Sequence, residues 1–60
     1  MDPNATLHYM RQLSEAIQAA VDSGEPIDDG DATGLADMVQ AMDGWLSSGG
    51  FLPKGWVYKD

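Results

Sequence analysis

The chain has 60 residues and a mass of 6.4 kDa, with no Cys, a single His, and a formal charge of −7 from ten acids against three bases. This length allows one small core at most, which seldom supplies more than ~3–5 kcal/mol, and without thiols neither a disulfide framework nor a thiolate zinc site can form. The charge excludes direct binding of DNA, RNA or anionic lipid, since such binding needs cations that neutralise phosphates and release counterions.

Small domains lean on disulfides, metals or oligomerisation, and here oligomerisation is the staple left. No apolar run approaches the ~20 residues of a membrane span. The opening MDPNATLHYM has no basic region followed by an apolar stretch, so a soluble, cytoplasmic protein is expected. The partners expected on charge are a basic or apolar protein surface, with no membrane and no nucleic acid. No cofactor is expected.

The first predicted element is a helix over about 4–22. Asp2, Pro3 and Asn4 offer a cap and a first-turn proline. Leu7, Met10, Leu13, Ile17 and Val21 then recur at three and four residues, which is one face of an amphipathic helix. Arg11, Gln12, Glu15 and Gln18 lie largely off that stripe and make a solvated face. Gly24 suits the left-handed residue after a helix, and Pro26 cannot continue one.

An acidic hinge is predicted over 23–31, with Ile27 turned inward beneath it. The second helix is predicted over about 32–48, capped by Asp31 or Thr33. Its stripe is Leu35, Met38, Val39, Met42, Trp45 and Leu46. Gly44 costs roughly 1 kcal/mol relative to Ala inside a helix, which marks either a close helix approach or a tolerated accident. Ser47-Ser48-Gly49-Gly50 ends the element. The tail, 49–60, is read as extended and folded back over the hairpin, because its aromatic side chains can lid the open side. The fold class is therefore all-α: a two-helix antiparallel hairpin with an extended aromatic tail, a single domain over 1–60, completed by homo-oligomerisation into a helical bundle.

Candidate chemistry is sparse. Calcium loops place oxygen ligands at positions 1, 3 and 5, a Gly at 6 and a bidentate Glu at 12. With Asp29 as position 1, Asp31, Thr33, Gly34 and Asp37 fall at 3, 5, 6 and 9, but position 12 is Gln40, which offers no carboxylate. A weak divalent-cation hinge at Asp29, Asp31, Thr33 and Asp37 is the functional reading of this cluster. A solvated acidic turn capping the second helix is the plain one. His8 has no nucleophile or carboxylate partner in its local sequence. Size and inventory together predict no enzyme.

Met10, Met38 and Met42 suit core filler or an adaptable binding face. The apolar residues exceed what one thin hairpin encloses. A protein interface is therefore expected at Met38, Met42, Trp45, Phe51, Leu52 and Trp56, because buried Trp and neighbouring aromatics dominate interface energies. A nucleic-acid mimic occupying a basic DNA-binding surface is the alternative, supported by charge. Against it, several acids crowd into one hinge rather than along a face.

The segment LADMVQAMDGWLSSGGFLPKGW, Leu35 to Trp56, resembles short uncharacterised proteins of high-GC Gram-positive bacteria and their phages. The pattern is Leu35, Met42-Asp43-Gly44-Trp45-Leu46, Ser48-Gly49-Gly50 and Phe51-Leu52-Pro53-Lys54-Gly55-Trp56. The resemblance implies a small stand-alone phage or bacterial protein without a catalytic signature.

Overall fold

The computed structural model describes residues 1–58. Helix α1, Pro3–Ser23, and helix α2, Asp29–Ser47, form an antiparallel hairpin, followed by a 3-10 turn, Lys54–Trp56. Each boundary has a local cause. Asp2 caps α1: its Oδ1 accepts from the amides of Asn4 and Ala5 at 3.0 and 3.3 Å, and Pro3 occupies the first turn, where no amide is needed. At the other end Gly24 takes φ 70°. The Gly24 and Glu25 amides then donate to the carbonyls of Val21 and Ala20, which satisfies two otherwise orphaned acceptors.

The same device closes α2. Gly49 takes φ 94°, and the amides of Gly49 and Gly50 donate to Leu46 and Trp45. The start of α2 differs from expectation. Asp28 is the cap, accepting from the Gly30 amide at 2.7 Å, so the helix begins three residues before the expected 32. The hinge shortens to residues 24–28. Asp29 and Asp31 enter the first helical turn, where negative charge complements the helix dipole.

The hairpin measures 38 × 27 × 14 Å along its principal axes. Its 14 Å thickness is little more than one helix with side chains, ~10–12 Å. A single layer has no second face to close against, and this decides the core. Among the described residues Leu7 and Met42 are the buried apolar side chains, at 4% and 2% exposure, with Pro3 and Pro53 also enclosed. Met10, Leu13, Ile17, Leu35, Met38, Trp45 and Leu46 are half-buried along the seam. The outer members of both predicted stripes, Val21 and Val39, are exposed, because the seam between two helices is narrower than either stripe.

Two further expectations are corrected. Ile27 is 42% exposed rather than a plug, since the five-residue hinge runs over the end of the hairpin without enclosing anything. Gly44 marks no close approach: a Cβ built there meets nothing within 4 Å. The close approach is at Gly34, where a Cβ would stand 3.3 Å from Leu13 Cδ1 on α1.

The tail returns to α1, but it is not extended throughout, and its aromatics do not form the expected lid: Phe51, Trp56 and Tyr58 are exposed, because only the Lys54–Trp56 turn docks on the helix. The Lys54 amide donates to Asn4 Oδ1 at 2.7 Å, and the Trp56 amide donates to the Pro53 carbonyl, which winds the 3-10 turn against the start of α1. Residues 59 and 60 of the expected tail lie outside the described residues. Among the described residues no helix is long and apolar enough to cross a membrane.

Candidate functional site

The residues expected at an interface separate into three groups. Met42 is withdrawn from the surface and is core, because its place on α2 faces α1 across the seam. Met38 is half-buried beside it. Trp45 is committed internally. Its Nε1 donates to the Phe51 carbonyl at 2.9 Å, and its ring meets the Phe51 ring edge-on, centroids 5.4 Å apart and planes at 88°. A Cβ on Gly50 would overlap the Trp45 indole, so glycine is what lets the chain reverse directly beneath the ring. Phe51, Leu52 and Trp56 remain on the surface, at 63%, 50% and 40% exposure.

The candidate metal ligands do not converge. Asp29, Asp31, Thr33 and Asp37 all lie on α2, which places Asp29 and Asp37 eight residues and ~12 Å apart along the axis. The calcium register needs a loop, and the early start of α2 replaces that loop with helix. Among the described residues no three His, Cys, Asp or Glu side chains are grouped to hold a metal ion.

Two adjoining clefts lie where the tail meets α1, and the first also reaches α2. The first, about 410 Å³, is walled by Leu7, Met10, Leu35 and Trp56, with Arg11, Ser14 and Glu15 also lining it. The second, about 430 Å³, is lined by Asn4, Leu7, His8, Arg11, Lys54 and Gly55. Leu7 and Arg11 are common to both. Arg11 reaches the tail through a long 3.4 Å contact from its guanidinium to the Gly55 carbonyl. His8 is exposed and stands edge-on to Tyr9, centroids 6.3 Å apart.

Arg11, Asn4 and Gly55 were not expected to meet. Arg11 lies on the polar face of α1, and neither helical periodicity nor spacing connects it with a tail 44 residues later. The Pro-Lys-Gly-Trp turn is the one local signal, because it brings the chain back with a backbone amide free to dock. The clefts are open, and the first sets the Ser14 hydroxyl and the Glu15 carboxylate beside Arg11 and the apolar walls. Comparison with protein-family models, with curated proteins and with solved structures finds no match.

Proposed function

We propose that this chain is a small acidic helical interaction module, of phage or bacterial origin and cytoplasmic, that binds itself and a host or phage protein without catalysing a reaction. One observation carries this reading. Among the described residues Leu7 and Met42 are enclosed with Pro3 and Pro53, while Ile27, Val39, Phe51, Leu52, Trp56 and Val57 stand more than a third exposed. The accessible surface of 4395 Å² exceeds the roughly 3,800 Å² of a compact monomer of this mass. An excess of several hundred Å² is of the order that each partner contributes to a standard interface, ~800 Å².

The test is molar mass by light scattering at two concentrations, in low and high salt. A mass at a multiple of 6.4 kDa that rises with concentration supports self-association. A constant 6.4 kDa at every concentration removes the self-binding half of the proposal. A pull-down with Trp56→Ala as control then tests the remaining half, binding to another protein through the tail.

A further inference from the structure

Charge is unevenly spread along the hairpin, although Asp2 at the start of α1 and Glu15 beside Arg11 leave some acid near the basic cleft. Both strongly basic side chains among the described residues, Arg11 and Lys54, line one cleft together with His8 and Asn4. At the opposite end, Asp22, Glu25, Asp28, Asp29 and Asp31 surround the hinge, and residues 22–31 contain no base. The chain's own hinge cannot reach its own cleft. From Arg11 to the end of α1 is twelve residues, or about 18 Å of rigid helix.

We propose that the cleft at Arg11, Lys54 and His8 receives the acidic hinge of a second copy, so that two hairpins lie side by side and antiparallel as a two-fold dimer. The inference rests on the self-association reading above and specifies its geometry. In this arrangement each cleft meets the partner's hinge, and one contact implies the other, as an isologous interface requires. The closed pair of contacts also sets the open apolar side of each hairpin beside that of its partner, with Leu35 and Trp56 at the wall of the adjoining cleft. A head-to-tail contact would use the same charges but leave one copy's cleft and the other copy's hinge unpaired.

The net charge of −7 opposes any dimer of this chain, and distance decides between the two effects. At about 0.15 M salt the Debye length is ~8 Å, so repulsion between whole molecules is largely screened while pairs at contact are not. Complementary ends are therefore favoured over every other juxtaposition of two acidic molecules.

Two charge-swapped variants test this at 0.15 M salt by sedimentation equilibrium. His8→Glu with Lys54→Glu makes the cleft net negative, and retains Arg11 and its contact with Gly55. Asp22→Lys with Glu25→Lys and Asp29→Lys makes the hinge net positive, and retains the Asp28 cap. Each variant alone is expected to dimerise roughly tenfold or more weakly than the parent chain, because like charges then face each other. An equimolar mixture is expected to recover dimer, since each swapped end meets a complementary one. The neutral variants His8→Gln with Lys54→Gln, and Asp22→Asn with Glu25→Gln and Asp29→Asn, are expected to weaken association in the same direction by a smaller factor. Parent-like dimerisation of the swapped variants, or no recovery on mixing, overturns the docking of hinge in cleft and leaves self-association standing. A parent chain that stays monomeric overturns both.

Discussion

Gly44 and Gly50 are six residues apart and respond to the same substitution in opposite ways. A methyl group at Gly44 meets nothing within 4 Å, and Ala is worth up to about 1 kcal/mol over Gly inside a helix. Gly44→Ala is thus expected to raise the melting temperature by roughly 4–8 °C for each kcal/mol gained, followed by circular dichroism at 222 nm. A methyl group at Gly50 collides with the Trp45 indole, which then gives up its hydrogen bond to the Phe51 carbonyl and its edge-on ring contact. Gly50→Ala is expected to lower the melting temperature and to shift Trp fluorescence to longer wavelength. Identical shifts for the two alanines contradict this placement of Trp45. Met42→Ala removes the larger part of one of the two buried core side chains that are not proline, Leu7 and Met42. At about 2–5 kcal/mol it consumes most of what so small a core supplies, so loss of the cooperative thermal transition is expected.

At the scale of elements, both helices are bounded by the same chemistry: an aspartate at the start and a left-handed glycine at the end. Asp28→Ala is expected to cost about 1 kcal/mol and to fray the first turn of α2, seen as faster amide exchange at residues 30–32 with the middle of the helix unchanged. Equal acceleration throughout α2 counts against a local cap. The tail is held differently, by the Asn4 side-chain acceptor and the longer contact from Arg11 to the Gly55 carbonyl. Asn4→Ala leaves the Lys54 amide without its partner, a loss of about 0.5–1.5 kcal/mol. The expected result is a tail that releases from α1 while the helices persist: Trp emission becomes more accessible to acrylamide at unchanged helix content. Quenching indistinguishable from that of the parent chain contradicts this docking.

For the whole molecule, thickness governs behaviour. A single layer of two helices 14 Å deep cannot enclose both apolar stripes, and what remains outside is available to a second surface. The dimer proposed above uses the charges at the two ends for register and the open apolar side for area. It also makes stability depend on protein concentration, because association stabilises the folded form by mass action. The melting temperature is therefore expected to rise with protein concentration between micromolar and millimolar, measured by calorimetry. Concentration-independent melting together with constant mass identifies the chain as a marginal monomer.

Much of this fold was legible in the residues because its signals are local. Three- and four-residue apolar spacing, Asp2 before Pro3, and glycines at 24 and 49 each act over a single turn of chain, and the structure realises the two helices and their hairpin from them. Asp28 was harder to read, because Asp28, Asp29 and Asp31 are all competent caps and the choice depends on where the hinge can turn. The candidate metal reading depended on that same choice and dispersed once those residues entered a helix. Of the residues expected at an interface, Phe51, Leu52 and Trp56 are exposed, Met38 is half-buried, and Met42 and Trp45 are turned to internal use. Which side of a stripe becomes core is set by the partner helix, and a stripe alone carries no information about its partner's width. The meeting of Arg11, His8 and Lys54 is of this kind as well. Composition determined that the chain is acidic and poor in bases. Only the return of the tail to α1 decided that both described basic side chains share one cleft, because 50 residues separate Asn4 from the amide it holds.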